Sequence, residues 1–441
     1  MNLNGGGLVF AAPASGSGKT TLVLGLARAL RERGLTIACA KSGPDYIDPA
    51  FHEAASGRPC RNLDRWAMRD ETLTGLIADA SQAQLVLCEG AMGLYDGIDA
   101  QGTGSCADLA HFAGWPVVLI VDARGFAASA GPMVAGFANA ANAPRIAGVI
   151  FNRVGGASHA QILRDALAIH APAIACLGAI PRDAKLAHPE RHLGLVQARE
   201  RDDLESFIAH AATIVARHVD LDALQALAVP STRKGDAATP LPPLGSRIAI
   251  ARDDAFAFTY PATLDGWRRQ GAELSFFAPL EGQTPDAACD AIYLPGGYPE
   301  LHAGNLAAGP LSQALRDAAS RNAAIYGECG GYMVLGHTMI DANGATHAMA
   351  GLLPLDTSFA ARRLHLGYRR IVLYADTKLG RAGTAFRAHE FHYTAILREG
   401  PGESLFTASD ARGKALGLMG LRAGPVFGSF AHLIDRDASD S

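Results

Sequence analysis

The first half of the chain alternates short apolar runs with segments of helical periodicity. Residues 8–12, 36–40, 85–88, 117–121 and 146–151 are largely apolar runs, the pattern of strands buried on both faces. Residues 20–33, with leucines at 22, 24, 26 and 30, predict an amphipathic helix between the first two. Strand and helix in alternation imply a mostly parallel sheet covered on both faces, and such sheets bind ligands at the carboxyl ends of their strands. The pattern stops over residues 229–246, VPSTRKGDAATPLPPLGS, where four prolines and small polar residues build neither a helix nor a central strand. It resumes with runs at 247–251, 273–277, 291–294 and 323–326. The expectation is an α/β protein of two domains, 1–228 and 247–441, joined by a linker at 229–246.

Length agrees with that division, since 441 residues exceed one ordinary core. With 49% apolar and 19% charged residues and a formal net charge of −4, the chain reads as a globular protein without a nucleic-acid-binding surface. Seven cysteines at 39, 60, 88, 106, 176, 289 and 329 form no C-x-x-C pair and are odd in number. A disulfide framework or zinc site is therefore not expected, and a reducing, cytoplasmic setting is. The opening apolar run leads straight into a glycine-rich turn, which reads as a first strand and not a signal peptide. No run approaches the roughly 18 apolar residues of a membrane span. A homo-oligomer stays open.

APASGSGKTT, residues 12–21, lies between the first apolar strand and the amphipathic helix. In that position glycines let backbone N–H groups close around phosphates, and the helix N-terminus adds partial positive charge. Ser15, Gly16, Gly18, Lys19, Thr20 and Thr21 are the expected ATP contacts, with Lys19 on the β/γ-phosphates and the Thr20 hydroxyl on Mg²⁺. Pro13 stands where the usual phosphate-loop pattern has glycine. Glu89, directly after the run 85–88, is the expected acidic metal ligand, with Asp96 a weaker candidate in an Asp-Gly turn. KSGPDYIDP places Lys41, Asp45, Tyr46 and Asp48 after the second strand, where they suit phosphate, substrate or metal contacts but also read as turn signals. Asp122 and Asn152, also at strand ends, are further candidates for touching nucleotide.

In the second domain AAIYGECGGYMVLG places Cys329 between an apolar strand and an amphipathic segment, flanked by glycines. A sharp strand-to-helix turn of this kind projects a nucleophile, and the helix N-terminus is expected to lower its thiol pKa. His432, in FGSFAHLID, is the expected base. The amides of Gly330 and of Gly297, in LPGGYPE, are the expected oxyanion donors. His389, Glu390 and His392 in AHEFHYT read equally as a strand with alternating faces and stay outside the catalytic set.

The motifs PASGSGKTT, KSGPDYIDPAFH, NLDRWAM, EGAMGLYDG, LPGGYPE, GECGGY and GSFAHL occur in one order along the chain. In this the chain resembles, over essentially its whole length, the cobyrinate/hydrogenobyrinate a,c-diamide synthases of cobalamin biosynthesis. The resemblance implies a dethiobiotin-synthetase-like nucleotide domain and a class I glutamine amidotransferase domain. It further implies that MgATP phosphorylates the c and a acetate carboxylates of a corrinoid, and that ammonia released from L-glutamine at Cys329 displaces the phosphate. Asp45 and Asp48 become candidates for positioning metal, phosphate or acceptor carboxylate. Many class I amidotransferases carry an acid two positions after the catalytic histidine, but here Ile434 stands there and Asp435 follows. The third catalytic member is left unassigned. Lys41-Ser42-Gly43 looks closer to the branch using metal-free hydrogenobyrinate, with cobyrinate the alternative. Amidation of other corrinoid carboxylates, as by cobyric acid synthases, is a second alternative, against which GPDYIDP argues. A phosphate-loop scaffold ATPase with an inactive tail is a third, against which the Cys329/His432 pair argues.

Overall fold

The computed structural model describes residues 5–186, 190–191, 194–195 and 197–438. Two compact units divide the chain: Met1–Trp66 with Leu73–Ala238, and Ala67–Thr72 with Thr239–Ser441.

In the first unit, strands β1 (Gly6–Ala11), β2 (Ile37–Ser42), β3 (Arg61–Leu63), β4 (Leu85–Glu89), β5 (Val117–Asp122), β6 (Ile146–Val154) and β7 (Ala175–Pro181) form a parallel sheet in the order β3-β2-β4-β1-β5-β6-β7. The chain winds to either side of β1, which lies between β4 and β5. That reversal opens a crevice at the carboxyl ends of β1, β2 and β4. Helix α1 (Lys19–Glu32) starts there, burying Leu22, Leu24, Leu26 and Leu30, and α2 (Asp48–Ser56) starts beyond β2.

The stretch read as a linker is partly ordered by backbone pairing. β5 covers β1 only from Val9 to Ala11, and Val229–Pro230 pairs antiparallel with Gly6 and Gly7. Farther along, Leu241 and Leu244 are buried in the core of the second unit, and Trp267 Nε1 donates to Pro242 O at 2.8 Å. Proline carries no N–H to satisfy, so its carbonyl can accept from a core tryptophan without breaking a ladder.

In the second unit ten strands form one sheet in the order Glu273–Phe277, Arg247–Ala251, Ala291–Leu294, Ala324–Glu328, Val426–Ser429, Ala415–Ala423, Glu403–Asp410, His365–Leu373, Ala385–His392 and Ala431–Arg436. The first five pair in parallel and the rest antiparallel. Tyr293 and Tyr326 stack at 5.9 Å, with Trp267 edge-on against the one and Phe427 stacked on the other. This aromatic layer backs the strand end from which the cysteine emerges.

Candidate active sites

β1 ends at Ala11 and α1 opens at Lys19, so the phosphate-loop motif spans the carboxyl edge of the first sheet. Gly16 (φ 75°) and Gly18 (φ 85°) take left-handed conformations that side chains disfavour, which is why the turn needs glycine there. Neighbouring strand ends hold the loop's carbonyls. Asn152 Nδ2 donates to Ser17 O at 2.9 Å, and Arg153 Nη1 donates to Gly16 O at 2.7 Å and to Asp122 Oδ2 at 2.6 Å. Asp122 and Asn152 are thus tied to the loop, Asp122 through Arg153. Ser15 and Gly16 are exposed, and the Thr21 hydroxyl is directed to Leu186 O at 3.4 Å. Lys19 is buried and donates to Met92 O at 2.7 Å. Burial lowers its ammonium from the usual lysine range, Glu89 pulling it back and Lys41 adding to the drop.

Four expected residues converge at the ends of β2 and β4. Thr20 Oγ1 lies 2.7 Å from Glu89 Oε1 and 3.3 Å from Asp48 Oδ2. Lys41 Nζ lies 3.0 Å from the same Glu89 oxygen, 2.5 Å from Asp48 Oδ2 and 3.8 Å from Asp45 Oδ2. His52, a residue the sequence reading quoted but did not single out, bonds through Nε2 to Glu89 Oε2. Burial alone would raise Glu89, but Lys41 and His52 outweigh it and hold the carboxyl below its usual range. Burial and the Asp48 charge push Asp45 up to about 7, against the pull of Lys41. Lys41 stays firmly protonated because Asp48, Glu89 and Asp45 overcome its burial. The hydroxyl of Thr20 and the carboxylates of Asp48 and Glu89 make an oxygen donor set that suits a hard divalent cation, with Lys41 sharing the same oxygens.

The remaining expectations here have local explanations. Asp45 Oδ1 accepts from the amides of Ile47 and Asp48 at 2.8 and 3.1 Å, ordering the entry to α2. Tyr46 is half-buried in that turn. Asp96 Oδ2 accepts from Gly93 N at 2.8 Å, closing the turn whose Met92 carbonyl receives Lys19. Asp96 therefore shapes the turn, the role its Asp-Gly context also suits.

In the second unit Cys329 sits between the Ala324–Glu328 strand and the Gly330–Leu335 helix with φ 48° and ψ −105°. A non-glycine residue in that region is strained, and such strain persists only where the surroundings impose it. Here the Cys329 amide donates to Ser429 O at 2.9 Å on the neighbouring strand. A Cβ on Gly330 would stand 3.2 Å from the amide nitrogen of Gly297, so the two expected oxyanion donors adjoin. A Cβ on Gly296 would lie 2.3 Å from His432 Cε1, 3.2 Å from Nε2 and 3.3 Å from Cys329 Cβ. The imidazole and the cysteine therefore meet across that glycine. Gly296→Ala should displace His432 and, for the activity the resemblance implies, reduce glutamine hydrolysis on the order of a hundredfold. Ammonia-supported amidation should stay at the parental rate, and parallel initial-rate assays with the two nitrogen sources check this.

The electrostatics correct one expectation. Burial, with Glu300 adding, pushes the Cys329 thiol well above its usual range, and a backbone hydrogen bond from Gly330 only partly offsets this. A one-and-a-half-turn helix supplies less stabilisation to a thiolate than burial removes. Burial also pushes His432 down to about 3, His389 and His392 adding to the drop. Both shifts favour the uncharged forms, a thiol and a neutral imidazole.

Asp435 does not serve His432. Its carboxylate receives Arg69 N at 2.9 Å, Nε at 3.1 Å and Nη2 at 2.9 Å. An acid that does approach the histidine is Glu328, which sequence reading passed over: its Oε2 lies 3.8 Å from His432 Nδ1. The AHEFHYT strand also borders the sulfur, Phe391 O standing 3.8 Å from Cys329 Sγ. Glu390 accepts from Arg369 Nε at 2.8 Å and pairs with His392 Nε2 at 2.9 Å. His365, Glu390 and His392 bring ligand atoms within 4.8 Å of one another. The rings of His365 and His392 are stacked 4.6 Å apart and only 6° from parallel, so their in-plane lone pairs do not converge on one ion. Both Glu390 oxygens are already engaged, and the group is a polar network beside the cysteine.

Among the described residues no helix is long and apolar enough to cross a membrane. Residues 8–196 match the CobQ/CobB/MinD/ParA nucleotide binding domain, and residues 247–438 match the CobB/CobQ-like glutamine amidotransferase domain. The chain is 53% identical over 436 residues to the hydrogenobyrinate a,c-diamide synthase of Brucella anthropi, covering 97% of this chain and 98% of the relative. It is 54% identical over 431 residues to that of Rhizobium meliloti, with 97% and 99% covered. For Rhodobacter capsulatus the identity is 50% over 434 residues, with 97% and 98% covered. At such identity along nearly its whole length, the chain belongs to the hydrogenobyrinate a,c-diamide synthase family.

Proposed function

We propose that this chain converts the a and c acetate carboxylates of hydrogenobyrinate to amides, consuming ATP and glutamine. The reading is carried by one combination: a phosphate loop whose Thr20 hydroxyl meets Glu89 and Asp48, and a strained Cys329 facing His432, on a single chain.

In the amidotransferase unit, the Cys329 thiol passes its proton to His432 Nε2 as sulfur attacks the side-chain amide carbon of glutamine. The carbonyl electron pair moves to oxygen, where the Gly330 and Gly297 amides stabilise it. His432 returns the proton to the departing nitrogen, ammonia leaves and a glutamyl thioester forms. Water attacks the thioester with His432 again as base, and glutamate is released.

In the nucleotide unit, a substrate carboxylate oxygen attacks the γ-phosphorus of ATP and ADP leaves. Ammonia then attacks the acyl carbon and phosphate departs, leaving the amide and a proton. Phosphorylation is needed because a carboxylate has no usable leaving group. Lys19 and the loop amides bear the phosphate charge, and the phosphate-loop backbone fixes the nucleotide. Thr20, Asp48 and Glu89 would hold Mg²⁺, which neutralises phosphate charge when bound. Lys41 is tied to both carboxylates and holds Glu89 ionised, and His52 orients Glu89. Lys41 and Asp45 lie where an acceptor carboxylate or transferred phosphate needs a cation and a proton acceptor.

The test is incubation with hydrogenobyrinate and with cobyrinate separately, each with glutamine and MgATP, followed by mass analysis. The expected product is the diamide of hydrogenobyrinate, with cobyrinate poorly used. Equal or preferential use of cobyrinate would reverse the substrate reading, and amidation beyond two carboxylates would point to the cobyric acid synthase type.

A further inference from the structure

Glu328 has no part in the chemistry above, yet its placement is costly. It is 2% exposed, and its hydrogen-bond donors are two tyrosine hydroxyls and a backbone amide, none of them charged. A buried carboxylate without a cation opposes folding, so its retention calls for a reason other than stability. Three hydrogen bonds hold it beside the histidine. Oε1 accepts from Tyr326 OH at 2.9 Å and from the Leu433 amide at 3.0 Å. Oε2 accepts from Tyr293 OH at 2.7 Å and stands 3.8 Å from His432 Nδ1. The Leu433 amide follows His432 directly, so the carboxylate is anchored to the backbone of the histidine it faces.

We infer that Glu328 is the positioning residue for His432, a carboxylate supplied by the position preceding the nucleophile. It rests on the Cys329/His432 assignment of the proposed function. With Nε2 turned to the cysteine side, Nδ1 of His432 faces Glu328. When His432 takes the thiol proton both its nitrogens carry hydrogen, and the Nδ1–H then faces a carboxylate 3.8 Å away. Attraction between that carboxylate and the imidazolium lowers the barrier to forming thiolate in a site whose burial opposes it. Asp435, the other acid near the histidine in sequence, is taken by Arg69.

The surroundings make this visible in a pH profile. Burial pushes Glu328 up to about 7, with hydrogen bonds from Tyr293, the Leu433 amide and Tyr326 restraining the rise. His432, facing His389, His392 and Glu390, titrates far lower, near 3. Glutamine hydrolysis should therefore decline as pH falls through about 7, where Glu328 becomes neutral, and not only where the histidine protonates.

Glu328→Gln keeps the shape and removes the charge. The expected result is a kcat for glutamine hydrolysis lower on the order of a hundredfold, a nearly unchanged KM, and loss of the acidic limb near neutrality. Ammonia-supported amidation serves as the folding control. A parental rate in this variant, or a reduced rate with the limb still in place, would overturn the inference. Tyr326→Phe supplies an independent reading if Glu328→Gln does not fold. Removing that hydrogen bond should move the limb to higher pH, and an unmoved limb is contrary to the inference. Failure of the underlying assignment is distinguishable, because Cys329→Ser would then hydrolyse glutamine normally.

Discussion

Replacing Cys329 with serine is expected to reduce glutamine-supported amidation by about ten-thousandfold or more while ammonia-supported amidation continues. The substitution changes one atom, so the strained φ of 48° and the amide bond to Ser429 O should survive. What changes is acidity. The site already disfavours the thiolate by burial, and a serine hydroxyl is a far weaker acid than a thiol. His432, pushed down to about 3, is too weak a base to ionise it without the cysteine's easier proton. The nucleotide unit does not depend on how the ammonia arises, and supplied ammonia should restore product. Loss of both activities would mean that Cys329 is structural, and survival of both that the nucleophile lies elsewhere.

Lys19→Ala should act in the opposite sense, removing amidation from either nitrogen source by about a thousandfold. Lys19 is buried where burial depresses its ammonium, so its charge is maintained at a cost to folding. Removing the side chain relieves that cost, and thermal stability is not expected to fall. A protein that folds normally yet makes no acyl phosphate would place the lysine on the phosphates. Parental synthesis by this variant would remove the loop from the reaction.

Much of this was legible along the chain because the decisive segments are local. The runs at 85–88 and 117–121 lie within β4 and β5, since strands buried on both faces are apolar without interruption. GSGKTT and GECGG are strand–turn–helix transitions whose glycines mark the turn. The antiparallel half of the second sheet was not legible in the same way. Strand Ala415–Ala423 exposes Leu416 and Leu418, so its apolar positions do not mark a buried face. At the edge of the same sheet Ala385–His392 pairs with Ala431–Arg436, His389 opposite His432, between segments far apart in sequence.

The same limit explains the residues missed at the sites. Glu328 adjoins the nucleophile, but its meaning depends on Leu433, 105 positions away. His52 acts on Glu89 across 37 positions, and nothing at either residue signals the other. Asp435 illustrates the reverse error that proximity invites: close to His432 in sequence, it is bonded instead to Arg69, 366 positions distant.

In the proposed function, one chain moves glutamine nitrogen onto ATP-activated corrinoid carboxylates. The most direct test supplies glutamine carrying heavy nitrogen in its side-chain amide, with hydrogenobyrinate and MgATP, and weighs the corrinoid product. Two heavy amide nitrogens, appearing only with ATP present and only with Cys329 intact, are the predicted result. Unlabelled corrinoid alongside ongoing glutamine hydrolysis, or labelled product formed without ATP, would contradict it.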